Sequence, residues 1–186
     1  PLARTLMDQA GMADATIGRC LPVTSADPGD FFRAFMGVPG CAPSPDFSIA
    51  EYCDIERSYW AARHRPNMLM VHYNDLKADL DGEMRRIANF CGIETPDALW
   101  GELVAAADFA AMKRDAAALL PAAGVVFAGG GERFLHKGTN QRWRDVARAA
   151  DLACYQSEAA RGMSPALKAW AESGRLVAGD PVALAD

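Results

Sequence analysis

The sequence predicts an α/β fold with mostly helical content, and three observations support this. A continuous apolar run, Met68 to Val71, is too short for a buried helix and too uniform for a half-exposed strand, so it predicts a strand covered on both faces. A segment with helical apolar spacing follows it, and several alanine-rich segments come later. With 186 residues, 51% of them apolar, the chain is large enough for one domain with a sizeable core.

The first helix is predicted between about Phe47 and His64, where apolar residues recur at steps of three and four. Arg65-Pro66 ends it, because the residue before a proline is disfavoured in the helical conformation. The residues that recur at these steps are Ile49, Tyr52, Cys53, Tyr59 and Trp60.

The second helix is predicted directly after the strand, over residues 82–91. Asp81 is expected to cap its N-terminus, and Gly92 is expected to provide a left-handed C-terminal exit. Its buried face is predicted to contain Met84, Ile87, Ala88 and Cys91. Further helices are predicted over 96–106, 109–119 and 146–161.

One strand does not make a sheet, and the other extended candidate, GVVF at 124–127, is short. The chain also begins at Pro1 and not at a methionine. The simplest interpretation is that the remaining strands lie upstream, so that residues 1–186 form a single domain that is the C-terminal portion of a larger one.

Cysteine usage predicts a cytoplasmic location. The five cysteines are scattered, without a CxxC pair or a histidine at metal-ligand spacing, so they are expected to be reduced core thiols and no metal site is expected. No segment approaches 18 consecutive apolar residues, and the N-terminus lacks a charged-then-apolar leader. Neither export nor membrane insertion is expected.

A basic stretch, FLHKGTNQRWRDV at 134–146, stands out in a chain with a formal net charge of −5. From Glu132 to Arg148 there are five Lys and Arg against two acidic residues. A nucleic acid would require a larger basic face, so the expected ligand is a small anion carrying phosphate or sulfate.

Three ordered motifs carry a resemblance to a known family: VHYNDLKADLDGEMRRIANFCGI at 71–93, FAAMK at 109–113, and the basic stretch itself. Over roughly residues 47–161 the chain resembles the bacterial, cytosolic-type sulfotransferases that use 3′-phosphoadenosine 5′-phosphosulfate (PAPS). The resemblance implies a P-loop-NTPase-like parallel sheet covered by helices. It also implies transfer of a sulfuryl group from PAPS to a hydroxyl of a small acceptor, leaving adenosine 3′,5′-bisphosphate (PAP).

The resemblance also implies the cofactor-binding residues. Tyr73 and Phe109 match residues beside the adenine, and Lys137 with Gly138 matches the element that holds the 3′-phosphate. His136 stands where the family usually has arginine, and neutral imidazole cannot supply the same permanent charge. Trp143 matches the tryptophan of that motif.

Each of these residues also has a purely structural interpretation. Tyr73 is equally consistent with a half-buried residue at a strand end, and Phe109 with simple packing at a helix start. Trp143 is either a pocket wall or core beneath the loop, and a lone Lys-Gly is an ordinary turn.

Ala107 and Asp108 occupy positions where the family has hydroxyl-bearing residues, and Thr5 is a weak match to another phosphate contact.

The catalytic residues cannot be identified from this sequence. Before residue 64 there is neither a glycine-rich phosphate loop after a strand nor a suitable histidine base. The sequence therefore predicts the nucleotide-binding part of an enzyme that is catalytically incomplete by itself. The alternative is a non-catalytic nucleotide-binding or interaction module derived from the same fold. The expected partner is a small hydroxyl acceptor, and a homodimer is compatible with the sequence.

Overall fold

The computed structural model describes residues 27–38, 48–121, 123, 131, 134–135 and 137–186. The predicted strand at 124–127, and the candidates Thr5 and His136, lie outside the described residues. The described chain divides into two compact units. The large unit comprises the described residues of Thr24–Glu94 and Gln141–Asp186, and the small unit those of Thr95–Asn140. The single domain predicted over 1–186 stays a prediction.

The large unit is helical in its described part, as is the small unit. The helices of the large unit are α1 (Pro28–Phe35), α2 (Ile49–Ala61), α3 (Tyr73–Ala78), α4 (Leu80–Cys91), α8 (Ala149–Gly162), α9 (Pro165–Ser173) and α10 (Arg175–Ala178), with a 3-10 helix at Arg142–Asp145. Those of the small unit are α5 (Asp97–Ala107), α6 (Phe109–Arg114) and α7 (Ala116–Leu119). The mostly helical content agrees with the prediction.

Helix α2 begins with a reciprocal N-terminal cap. The Ser48 hydroxyl accepts a hydrogen bond from the Glu51 amide, and the Glu51 carboxylate accepts one from the Ser48 amide at 2.7 Å. The helix ends at Ala61, earlier than the predicted stop at Arg65. Trp60 and Cys53 are buried, whereas Tyr59, which belongs to the same apolar recurrence, is 55% exposed.

The core of the large unit lies between α2, α8 and α9. Its buried members come from α2 and α9 and from the residues that directly follow α1 and α8: Met36, Ile49, Cys53, Trp60, Met163, Leu167 and Trp170. Gly162 permits close packing of α8 on α2, because a Cβ there would lie 2.6 Å from the Cys53 sulfur. Burial raises the pKa of the Cys53 thiol, which favours the protonated form of a packed core residue.

Residues 68–72 connect α2 to α3 without forming a strand within the described part of the chain. The segment is half-buried, and His72 has extended dihedral angles of φ −112° and ψ 138°. No backbone hydrogen bond joins the amide of Leu69, Met70 or Val71 to another described residue. A strand requires a neighbouring strand to satisfy its backbone, so the parallel sheet itself stays a prediction.

Helix α4 confirms some predicted details and corrects others. Gly92 ends the helix in the left-handed conformation, at φ 66°. The N-cap, however, is Asp79 and not Asp81: its side chain accepts from the Gly82 amide at 2.9 Å. Cys91 is exposed, contrary to the prediction, because the face that packs inward carries Glu83, which has no exposed surface.

Glu83 is the centre of a buried ionic network that joins α4 to α10. Its carboxylate accepts hydrogen bonds from Arg86 at 2.8 Å and from Arg175 at 2.5 Å. Arg86 also donates to the carbonyl oxygen of Met70 at 2.7 Å, which fixes the extended segment. Burial by itself would raise the pKa of Glu83, but the hydrogen bonds from the two arginines outweigh it and hold the pKa below its usual value.

Candidate nucleotide-binding site

Phe109 opens helix α6 because Asp108 supplies its N-terminal cap. The Asp108 carboxylate accepts hydrogen bonds from the amides of Ala110 and Ala111, at 2.8 and 3.4 Å. The carboxylate of Asp108 is therefore engaged by the helix. Phe109 itself is half-buried, so part of its ring remains accessible.

Gly138 lies directly against the ring of Phe109. A Cβ built on Gly138 would lie 2.7, 2.7 and 2.8 Å from the Cδ1, Cγ and Cδ2 atoms of the ring. Nearly equal distances to three consecutive ring atoms place that position over the face of the ring, not beside its edge. Gly138 also has φ +58°, a left-handed conformation that glycine adopts without steric penalty. Two of the residues predicted from separate motifs are thus in contact.

Lys137 precedes Gly138 and is an exposed residue. The ion pairs and hydrogen bonds found among the described residues do not include its ammonium group. An exposed cation next to a glycine in the left-handed conformation is suited to binding a small anion, because the backbone can approach closely and the charge is available.

A second glycine, Gly131, precedes the basic stretch and packs on α7. A Cβ on Gly131 would lie 2.7 Å from the carbonyl oxygen of Ala116 in α7, and both residues are buried. Gly131 also accepts a hydrogen bond from the Leu135 amide at 2.8 Å. Gly131, three residues before the basic stretch, is therefore in contact with α7, and Gly138, within the stretch, is in contact with α6.

Tyr73 and Trp143, the other candidates, belong to the large unit. Tyr73 begins α3 and is 47% exposed, so the interpretation as a half-buried strand-end residue is replaced by an exposed position at a helix start. Trp143 lies in the 3-10 helix and is 42% exposed, with the Arg144 guanidinium 5.3 Å from its ring centre. The interpretation of Trp143 as core is therefore wrong, whereas its role as a pocket wall stays a prediction.

Two residues next to Tyr73 have roles that the sequence did not reveal. The Nδ1 atom of His72 accepts a hydrogen bond from the Asn74 amide and so caps α3, while the Nε2 atom lies 3.0 Å from the carbonyl oxygen of Ala171. His72 is thus the cap residue of α3. Asp75, 1% exposed, accepts from the amides of Arg175 and Leu176 at 2.7 and 3.0 Å. A polar side chain close to an extended segment is the only local signal for either role.

A groove of about 380 Å³ runs along the extended segment of the large unit. Its walls are formed by residues 68–73 and by side chains of α2 and α9: Tyr52, Glu56, Tyr59, Trp170 and Ala171. Burial, and then the neighbouring Glu56 carboxylate, raise the pKa of Tyr52 to about 12. The indole nitrogen of Trp170 is buried without a hydrogen-bond partner among the described residues.

Neither a metal centre nor a membrane-spanning helix is found in the part of the chain that the structure describes. His, Cys, Asp and Glu side chains there do not form a group of three or more that could hold a metal ion. The described helices are all too short or too polar to cross a bilayer.

Comparison with known proteins gives consistent matches. Residues 22–156 match the family described as sulfotransferase domain. Proteins named glycolipid sulfotransferase, from Mycobacterium bovis (strain BCG / Pasteur 1173P2) and Mycobacterium tuberculosis (strain ATCC 25177 / H37Ra), are each 32% identical to the chain over 116 residues. No solved structure gives a significant match.

The matches cover different shares of this chain and of its relatives. The aligned region covers 62% of this chain and 36% of each mycobacterial relative, so the chain spans little more than a third of the length of the curated relatives it matches. The family match itself covers well over half of the chain and includes all three motifs that suggested the resemblance. The chain belongs to the sulfotransferase family.

Proposed function

We propose that this chain binds the nucleotide end of PAPS, and that the protein to which it belongs transfers the sulfuryl group from PAPS to a hydroxyl group of an acceptor. The observation that carries the proposal is the contact between Gly138 and the ring of Phe109. It brings an accessible aromatic ring and the exposed Lys137 together in one compact unit. An aromatic face suits a purine, and an exposed cation suits its 3′-phosphate.

The proposed roles are binding roles. Lys137 and Gly138 would contact the 3′-phosphate and Phe109 the adenine, with Tyr73, His136 and Trp143 as further contacts. These groups engage a part of the donor that does not change during transfer, so they anchor it without lowering the chemical barrier. The groups that lower the barrier, at the 5′-phosphosulfate and the acceptor hydroxyl, are not assigned to residues of this chain.

The acceptor is proposed by class. Because the mycobacterial relatives are named glycolipid sulfotransferases, hydroxyl groups of glycolipids are the first acceptors to test, followed by small alcohols and phenols. We propose a cytoplasmic location, where a reduced state of the cysteines is expected.

The binding test is calorimetric titration of PAP into the protein and into the Lys137→Ala variant. Losing one charge-assisted contact to phosphate should weaken binding by roughly 1.5–3 kcal/mol, about 10- to 150-fold. Lys77→Ala is the matched control, because Lys77 is also an exposed lysine but lies at the end of α3 in the large unit. Equal affinity of the wild type and Lys137→Ala would contradict the proposed site.

The activity test is incubation with labelled PAPS and the panel of acceptors. The proposal expects sulfated product from the whole protein and none from residues 1–186 alone. Product from residues 1–186 alone would show that the catalytic groups lie in this chain. Binding of PAP without transfer by the whole protein would instead favour a non-catalytic nucleotide-binding module.

A further inference from the structure

We infer that Gly138 is a positioning residue for the ring of Phe109, in addition to any contact it makes with phosphate. This inference rests on the proposed function, because it concerns how the adenine side of that site is built. The missing Cβ of Gly138 lets the ring of Phe109 lie over the glycine Cα. One ring face is then covered by protein, and only the opposite face is left for a base.

A Cβ on Gly138 would clash with the ring of Phe109. Carbon atoms in favourable contact lie about 3.5–4.0 Å apart, whereas a Cβ on Gly138 would come within 2.7 Å of the ring. The ring would have to move by about 1 Å, because the atoms that it meets belong to the ring base near Cγ and not to a flexible chain end. Phe109 has little freedom to move its attachment point, since its Cα belongs to the first turn of the helix capped by Asp108.

The contact between Gly138 and Phe109 also preorganises the site. The glycine that packs on the ring is also the residue that follows Lys137, so the aromatic face and the cation are held near each other before a ligand arrives. Gly131, which precedes the basic stretch, supports this arrangement through its contact with Ala116. A ligand with an aromatic base and an anionic group then binds without first ordering two separate elements.

The steric role of Gly138 is distinct from its backbone conformation. Gly138 has φ +58°, so any other residue is strained there whether or not the ring is present. Gly92 and Gly37 each have φ +66°, and a Cβ added to either would meet no described atom within 4 Å, so an alanine there has the conformational penalty alone. They are therefore matched controls for the steric part of the effect.

The experiment is a double-mutant cycle on the intact protein, with PAP affinity and the urea midpoint of unfolding as readouts. Gly138→Ala should weaken PAP binding by about tenfold or more, in the range that loss of base stacking produces, whereas Gly92→Ala should leave it within about twofold. Gly138→Ala should also lower the urea midpoint more than Gly92→Ala. In a Phe109→Ala background, Gly138→Ala should no longer change the PAP affinity or the urea midpoint more than Gly92→Ala does. The reason is that the ring that clashes with the added Cβ is absent.

The outcomes distinguish the two proposals. Affinity losses from Gly138→Ala and Phe109→Ala that multiply would overturn the positioning role while leaving the nucleotide site in place. Failure of the wild type to bind PAP would overturn the proposed function, and the unfolding cycle would still decide whether Gly138 positions the ring: equal midpoint shifts for Gly138→Ala and Gly92→Ala would contradict it. Phe109→Leu, which removes the ring but keeps an apolar contact, replaces Phe109→Ala if the latter does not fold.

Discussion

The family motifs of the large and small units differ in the burial and bonding of their side chains. In the large unit, the charged residues Glu83 and Asp75 of the first motif are buried and engaged: Glu83 binds two arginines, and Asp75 binds two backbone amides. In the small unit, Lys137 is exposed and Phe109 half-buried. The comparison teaches that a motif shared across a family can contain stabilising residues in one segment and residues suited to ligand binding in another.

The largest expected effect is on the stability of the large unit. Glu83→Ala should lower the free energy of unfolding by about 3–5 kcal/mol, because it leaves Arg86 and Arg175 without their shared buried partner. Chemical denaturation followed by circular dichroism measures this. Glu94→Ala is the control, since Glu94 is an exposed loop residue and its replacement should change stability by less than about 0.5 kcal/mol.

The contrast between the stabilising motif of the large unit and the ligand-binding residues of the small unit would fail if Glu83→Ala weakened PAP binding under conditions where the variant is fully folded. In that case the first motif would serve the ligand as well as the fold. Equal stability of Glu83→Ala and Glu94→Ala would show that the network contributes nothing measurable.

The next effect concerns Gly174, which separates α9 from α10. A Cβ there would lie 2.6 Å from the Asp75 carboxylate, whereas a Cβ on Gly179 would meet its nearest neighbour, Leu184, at 3.4 Å. Both glycines have positive φ values, of 82° and 104°, so both substitutions are strained by the backbone. Gly174→Ala should therefore destabilise the protein by about 1–3 kcal/mol more than Gly179→Ala. Equal unfolding free energies of the two variants would show that Asp75 can move without loss.

The sequence predicted those parts of the fold that depend on local signals. The helical spacing of α2 and the left-handed exit at Gly92 were found because the residues that define them lie within a few positions of each other. Glu83 was missed because its partner Arg175 lies 92 residues away, and a charged residue is ordinarily expected on the solvent side of a helix. The strand at 68–71 stays a prediction, because a strand is defined by neighbours that its own sequence does not contain.

The candidate site was likewise predicted only in part. Family resemblance identified Phe109, Lys137 and Gly138 as ligand-binding candidates, and two of them proved to be in contact. It could not show that the glycine covers a face of the ring, because that depends on how the stretch from Gly131 packs on α6 and α7. Trp143 was equally ambiguous, since a tryptophan near a loop is compatible with core and with surface.

A smaller effect is expected from pH. The pKa of Glu83 is lowered in the folded protein, so the stability that its charge provides is present above the unfolded-state pKa of about 4.3 and is lost as the pH falls through the lower folded value. Unfolding free energies measured between about pH 6 and pH 3 should fall more steeply for the wild type than for Glu83→Gln. Parallel profiles would show that Glu83 titrates alike in both states.

The smallest effect is expected at Tyr73, and it sharpens the division between the units. Tyr73 belongs to the large unit and is proposed as a further contact to the adenine side, where its hydroxyl offers one neutral hydrogen bond. Such a bond contributes about 0.5–1.5 kcal/mol, less than the charged contact of Lys137. Tyr73→Phe should therefore weaken PAP binding by about 2- to 12-fold, measured by calorimetry beside Lys137→Ala. A loss at Tyr73 as large as that at Lys137 would break the division, since the large unit would then contribute to ligand binding as strongly as the small unit. Identical affinities of Tyr73→Phe and the wild type would remove the Tyr73 hydroxyl from the site and leave recognition to the small unit.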